Sequence, residues 1–286
     1  MFLTRTYLFY RIIKLFIRYF PMKFNYAAAN ILSDIFYIFP TDIKKNVCYN
    51  LSKIYELKRE KAEIKEKGRQ VFCNFGRYLI DLVSLDTLQK EEINKLFLEI
   101  DGIEYLDAVK NRGAIFVTLH MGNWELGGAF LTHRGYSFTA IYERHEDRKV
   151  SEFFNNIRLK HKFGIIDRRD IRGIISAIKD KKNIAILGDF SYDSQTIPVN
   201  FLGESYNFPA GAAVLALKFD IPIIPLVCVK NVSGHKILVS PLMEIERTGH
   251  LQEDIRLNAR KLAKVLEGFV LKFPEQWFVF KKIGSE

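Results

Sequence analysis

From about residue 112 onward, apolar runs of strand length alternate with stretches of helical periodicity. The runs at 114–119, 138–142, 183–187 and 221–229 are rich in Ile, Val, Leu and Phe. The segments near 124–134, 147–162, 170–181, 209–219 and 251–272 read as helices. Unbroken apolar runs mark strands buried on both faces, and a parallel pair needs a crossover, usually a helix, between its strands. The pattern therefore predicts βαβ units: an α/β fold with a mainly parallel mixed sheet flanked by helices. Residues 236–239 offer one further strand, and the change of pattern near residue 100 is the only visible internal division.

Composition narrows the class. A length of 286 residues suits one large domain or two small ones. With 48% hydrophobic and 27% charged residues, a disordered chain, collagen and a bundle of membrane spans are excluded. Cys48, Cys73 and Cys228 are odd in number and widely spaced, which fits neither a disulfide framework nor a zinc knuckle and points to a reducing compartment. The 43 Lys and Arg exceed the 33 Asp and Glu, giving a net charge of +10 beside 24 Phe and 13 Tyr. Basic charge with many aromatics fits three kinds of partner: nucleic acid, an anionic membrane surface or an acidic protein. No basic and aromatic patch is interleaved on one element, and no nucleic-acid motif is present, so nucleic acid drops out.

The first twenty residues bear on the membrane. On a helical wheel Phe9, Ile12, Ile13, Phe16, Ile17 and Phe20 form one broad apolar face, widened by Leu8, Leu15 and Tyr19, with Arg11, Lys14 and Arg18 opposite. A helix lying in the bilayer interface needs this arrangement, rings in the acyl boundary and bases at anionic headgroups. Packing on its own domain as an ordinary amphipathic helix is the competing reading. The three bases interrupt the run too often for a secretory signal or a transmembrane span. An aromatic-rich segment at 24–39 continues to Pro40, so residues 1–40 form a membrane-associating helical segment ahead of the remaining 41–286. The charged stretch 42–67 reads as solvated helix.

The sharpest chemical feature is His120-Met121-Gly122-Asn123-Trp124-Glu125, where the run 114–119 ends and a helix begins. Open α/β sheets place active sites at the carboxyl ends of their strands. Gly122 and Asn123 permit a tight turn that brings Glu125 back onto one imidazole nitrogen of His120, leaving the other as a general base. No nucleophile stands beside it, which implies that the substrate brings its own hydroxyl. Against this stands a turn histidine followed by an ordinary first-turn carboxylate. Metal-ligand spacing is missing, with no His-Glu-x-x-His arrangement in the chain.

These residues carry a resemblance. The hexapeptide His120–Glu125 is similar to the H-[FM]-G-N-[WH]-[ED] signature of the lipid A late acyltransferases, within the wider lysophospholipid acyltransferase superfamily. Arg158 with Phe163-Gly164 resembles the family's R-x(5)-G segment. Asp189 matches the Asp after its next strand, Asn200-Phe201-Leu202-Gly203 its F-F-G stretch, and Pro274-Glu275-Gln276-Trp277 its closing P-x-Q-[WY]. In order, these matches cover about 105–280. Phe190 stands where many relatives carry Gln or His, and Phe278-Val279-Phe280-Lys281-Lys282 replaces the usual basic ending.

The resemblance implies a glycerolipid acyltransferase-like fold for residues 41–286, and transfer of a fatty acyl chain from an acyl thioester to a hydroxyl of a lipid A precursor or other glycolipid. His120 would be the general base, oriented by Glu125. The amides of Gly122 and Asn123 are expected to serve the oxyanion. Arg158 is expected either at a phosphate or oxyanion or in a buried pair with Asp189, and Arg144 is a weaker candidate of the same kind. Trp277 reads as core packing. The co-substrate would be acyl carrier protein or coenzyme A thioester, the acidic carrier suiting the surplus of Lys and Arg, and no bound cofactor or metal is implied. The place of work would be the cytoplasmic face of a bacterial inner membrane, with peripheral or monotopic attachment. A glycerolipid acyltransferase is the rival within the superfamily, although the F-P-E-G-T-R block is missing. A non-catalytic membrane-binding module is the rival from another class.

Overall fold

The computed structural model describes residues 5–55, 60–110, 112–190 and 196–284. Four helices lead: α1 (Arg5–Tyr19), α2 (Met22–Ile38), α3 (Asp42–Ile54) and α4 (Lys61–Ser84). Pro21, extended at φ −59° and ψ 151°, separates the first two, because its ring opposes continuation of the helix before it. Thr41 caps α3 by accepting the Lys44 N–H at 3.2 Å.

There follow α5 (Lys90–Lys95), β1 (Phe97–Asp101), α6 (Ile103–Asp107), β2 (Ile115–Thr118), α7 (Trp124–His133), β3 (Phe138–Tyr142), α8 (Arg148–Lys160), β4 (Gly164–Asp167), α9 (Ile171–Lys179) and β5 (Asn183–Leu187). A hairpin of β6 (Thr196–Phe201) and β7 (Glu204–Pro209) precedes α10 (Gly211–Phe219), β8 (Ile223–Lys230), β9 (His235–Val239) and α11 (Leu251–Lys272). The seven-stranded sheet has the order β1-β9-β8-β2-β5-β3-β4. Only β8 and β9 run antiparallel within it; every other neighbouring pair is parallel.

The expected α/β architecture with a mostly parallel sheet is thus present, with β1, β4 and the hairpin in addition. Alternation along β2 sends Ile115 and Val117 to the side covered by Leu262, Ala263, Leu266 and Val270 of α11, and Phe116 to the side covered by Leu126, Ala129 and Phe130 of α7. Full burial of each large side chain here contributes about 1.5–3 kcal/mol, which makes the centre of the sheet a firm base for the loops at its edge. All three cysteines are free.

The N-terminal helices lie against this body through α4. Tyr37 of α2 donates its hydroxyl to the Lys65 carbonyl at 2.6 Å, and Ser33 donates to the Phe72 carbonyl at 3.1 Å. Tyr10 of α1 stacks on Phe153 with ring centres 5.7 Å apart and meets Phe154 edge-on at 5.1 Å. Lys14 is ion-paired to Asp86. That pairing corrects the expected polar face: Lys14 points to the folded body, while Arg11 and Arg18 stay exposed. Ile13 and Ile17 are half-buried, whereas Phe9, Ile12, Leu15, Phe16 and Phe20 are exposed. The rings of Phe16, Phe20 and Phe24 stack in series at 5.6 and 4.7 Å, joining this surface to the exposed Ile31, Leu32, Ile35 and Phe36 of α2. Among the described residues no helix is long and apolar enough to cross a membrane.

Candidate active site

Strand register builds the site. In the parallel pair β2 and β5, Thr118 lies opposite Leu187. His120 and Asp189 each follow two residues later, so they leave the carboxyl edge of the sheet side by side. The Gly188 N–H prolongs the ladder to the Thr118 carbonyl at 2.7 Å. His120 Nδ1 then lies 2.8 Å from Asp189 Oδ1, and the His120 backbone N–H donates to Oδ2 at 3.0 Å. An ionised carboxylate only accepts, so Nδ1 carries the proton and Nε2 keeps its lone pair. Among the described residues no group bonds Nε2, and the His120 side chain retains 28% exposure while Asp189 has 1%.

Opposite pulls set the charge state. Burial lowers the basicity of His120, but the charge and hydrogen bond of Asp189 outweigh it and hold the imidazole pKa above its ordinary value. Burial pushes Asp189 upward in turn, and its contacts with His120 and Trp277 more than offset this, leaving the carboxyl below its usual range. A base that is exposed at one nitrogen and anchored to a buried carboxylate at the other can take a proton from an incoming hydroxyl.

The expected partnership of His120 with Glu125 is not formed. Glu125 lies in the first turn of α7 and is bound by Arg158 of α8, with the guanidinium Nε 3.1 Å from Oε1 and 3.2 Å from Oε2, and Nη2 on Oε1. Both groups are largely buried, at 6% and 17% exposure. The acids are exchanged relative to expectation: Asp189 takes the histidine and Glu125 the arginine. Helix α7 begins only at Trp124, so Glu125 is carried into the α7–α8 contact, where a buried guanidinium requires a carboxylate. The Glu125 charge keeps Arg158 protonated against burial, and Arg158 is committed to that pair rather than to Asp189.

The expected oxyanion donors are committed as well. The Gly122 N–H donates to the Gln276 carbonyl and the Asn123 N–H to the Cys228 carbonyl, both at 2.8 Å. Asn123 is buried and caps α7, its Oδ1 accepting the Leu126 N–H at 2.9 Å. Gly122 adopts φ +58°, where an added Cβ would meet the Cys228 carbonyl oxygen at 1.9 Å. Gly122→Ala is expected to cost about 2–4 kcal/mol in urea denaturation, combining left-handed backbone strain with that clash; an unchanged midpoint would refute this account of the turn. Arg144 pairs with Asp167 at the end of β4, with 70% of its side chain exposed and its Nε 2.5 Å from the carboxylate. Among the described residues no group of His, Cys, Asp or Glu converges to hold a metal ion.

Residues 276–278 strap the loop from the other side. Met121 and Trp277 form an antiparallel bridge, and the Phe278 N–H donates to the His120 carbonyl at 2.7 Å. The Gln276 amide clamps Lys230 at the end of β8, accepting its N–H at 2.8 Å and donating to its carbonyl at 2.7 Å. Beside the imidazole stands Trp124, edge-on at 5.3 Å, and Tyr78 stacks on Trp124 at 4.4 Å.

The profile of the bacterial lipid A biosynthesis acyltransferases matches residues 2–283. The chain belongs to this family. A phosphatidylinositol mannoside acyltransferase of Mycobacterium tuberculosis (strain CDC 1551 / Oshkosh) is 24% identical over 179 residues, 60% of this chain and 57% of that protein. The match thus spans little more than half of the mycobacterial relative. The lipid A biosynthesis palmitoleoyltransferase of Escherichia coli (strain K12) is 23% identical over 223 residues, covering 76% of this chain and 71% of its own length. The solved 1-acyl-sn-glycerophosphate acyltransferase of Thermotoga maritima, 12% identical with a TM-score of 0.35, covers 79% of this chain and 98% of its own.

Within this family member the sequence motifs converge on one edge, but in different roles. The Asp189 and Trp277 motifs lie beside His120, while Glu125 and Arg158 support the helix that follows it. Trp277, expected in the core, is indeed buried at 4%. Its indole nevertheless donates to the Asp189 carboxylate. A sequence signal for the His120–Asp189 contact does exist, since each residue lies just beyond an apolar run. It becomes informative only when those two runs are known to be neighbours.

Proposed function

We propose that this chain is an O-acyltransferase that moves a fatty acyl group from an acyl thioester to a hydroxyl of a membrane glycolipid, with a lipid A precursor as the first candidate. The observation that carries the reading is His120, fixed through Nδ1 by Asp189 and, among the described residues, unbonded at Nε2, in a chain of this family. The names of the relatives support a glycolipid acceptor, one concerning lipid A and another phosphatidylinositol mannoside. Nε2 takes the proton of the acceptor hydroxyl as its oxygen attacks the thioester carbonyl. The tetrahedral intermediate then collapses, the C–S bond breaks, and the departing thiolate receives the proton from His120. Asp189 stabilises the imidazolium between these two steps. Acyl carrier protein is the proposed donor, its acidity complementing the net charge of +10.

The test is mass spectrometry of lipids after incubating the protein with acyl carrier protein or coenzyme A thioesters and bacterial membrane extract. A glycolipid heavier by one acyl group supports the reading, and acylated lysophosphatidic acid in its place would move the chain to glycerolipid synthesis.

Residues 1–40 are proposed to seat the protein on the cytoplasmic face of the inner membrane. Support comes from the exposed rings of Phe9, Phe16, Phe20 and Phe24 beside Arg11 and Arg18. Replacing Arg11 and Arg18 with Gln is expected to weaken binding to anionic vesicles about 30-fold, at about 1 kcal/mol for each base, with little effect on neutral vesicles. Deleting residues 1–20 should leave the protein in the supernatant; continued sedimentation with vesicles would refute the assignment.

A further inference from the structure

The buried Asp189 carboxylate has more donors than the imidazole alone. Oδ1 faces His120 Nδ1, while Oδ2 accepts the His120 backbone N–H at 3.0 Å and the Trp277 indole N–H at 2.9 Å. The hydroxyl of Tyr206, on β7, donates to the Asp189 backbone carbonyl at 2.5 Å, fixing the residue from the hairpin side. Trp277 is itself held, bridged to Met121 and with its ring 5.9 Å from Phe201. The indole is therefore a rigid donor delivered by the C-terminal strap to the oxygen that the imidazole does not use.

We propose that Trp277 is a positioning residue: its N–H draws part of the Asp189 charge onto Oδ2 and thereby sets how strongly Asp189 holds the His120 imidazolium. This rests on reading His120 as the general base. A carboxylate that shares its charge with two N–H groups at Oδ2 leaves less at Oδ1. Loss of the indole N–H concentrates charge toward Nδ1, stabilises the imidazolium and makes His120 a base that is protonated over a wider range of pH. Among the described residues the other titratable groups nearby bond elsewhere than to the carboxylate: Glu125 and Arg158 are bound to each other, and the Tyr206 hydroxyl donates to the Asp189 main-chain carbonyl.

The test uses the full chain with 15N-labelled histidine, the His120 resonance being assigned by its disappearance in His120→Gln. Two variants are compared: Trp277→Phe, and the protein carrying 3-benzothienylalanine at 277, which keeps the ring's shape and replaces N–H by sulfur. The expected result is a rise of the His120 titration midpoint by up to about one unit in both, a hydrogen bond to a charged group being of the order of one pKa unit in free energy. The acid limb of kcat should move the same way, so that kcat falls by up to about tenfold at pH values below the midpoint and little above it. An unchanged or lowered midpoint in the benzothienyl protein overturns the proposal, and so does a shift confined to Trp277→Phe, which would make Trp277 a packing residue. A raised midpoint in a protein that transfers no acyl group from any thioester would uphold the positioning contact and remove the acyltransferase reading.

Discussion

His120→Ala is expected to lower acyl transfer by about 10⁴-fold and Asp189→Asn by about 10³-fold, with the double variant no worse than His120→Ala alone. In the proposed mechanism Asp189 acts through the imidazole, 2.8 Å from its carboxylate, by fixing the proton on Nδ1 and stabilising the charge that appears when Nε2 takes a proton. Asparagine at 189 keeps the volume but removes the charge, and its amide NH₂ can face Nδ1 and favour the wrong tautomer. Losses in such a unit do not add. The pH dependence follows from the raised pKa of His120. Transfer requires neutral imidazole, so the rate falls as pH drops through that value, and the acid limb lies above the ordinary histidine midpoint of about 6.5. Stability runs the other way. A raised folded-state pKa contributes stabilisation that is full below the unfolded value and lost as pH rises through the folded one. In Asp189→Asn the acid limb should move to lower pH. Additive losses, or an unmoved limb, would mean that Asp189 does not work through His120.

The order of elements was legible in the sequence where burial is symmetrical. β2, β5 and β8 are covered on both faces, so their apolar runs are continuous and stand out. β1 is an edge strand in which Leu98 is exposed and Glu99 and Asp101 pair with Lys236. Its sequence, Phe-Leu-Glu-Ile-Asp, therefore lacks an apolar signature. β4, the other edge, is only Gly-Ile-Ile-Asp. The hairpin β6–β7 carries Pro198 and alternating polar residues, and it turns through Leu202 and Gly203, both at positive φ. Such a strand pair has no place in a βαβ scheme, so periodicity gave it no weight.

The site was legible as a list of residues, and its pairing was not. Which carboxylate meets His120 depends on β5 lying next to β2, and β5 begins only after α7, β3, α8, β4 and α9 have intervened. Local spacing favoured Glu125, five residues away. Tertiary register favoured Asp189, and the register wins because a sheet fixes positions more tightly than a turn. Lys14 shows the same limit: helical periodicity places it with Arg11 and Arg18, but only the fold supplies Asp86.

The exchange of acids makes Arg158→Met the most damaging expected change to stability. Removing the guanidinium leaves Glu125 buried in the first turn of α7 with its charge uncompensated, at an expected cost of about 3–5 kcal/mol in denaturant unfolding. Pairing it with Glu125→Leu removes the stranded charge and should recover most of that loss, since two apolar side chains of similar volume can replace a buried ion pair at little net cost. The double-mutant cycle therefore yields a large coupling energy in stability. The same cycle separates structure from chemistry. If Glu125 and Arg158 act only by holding α7 against α8, the double variant keeps the His120 titration midpoint and most of its transfer rate wherever it is folded. Loss of transfer in a stable Glu125→Leu/Arg158→Met protein, with the His120–Asp189 pair still titrating normally, would instead place the Glu125 carboxylate or the Arg158 guanidinium in contact with the reacting substrate.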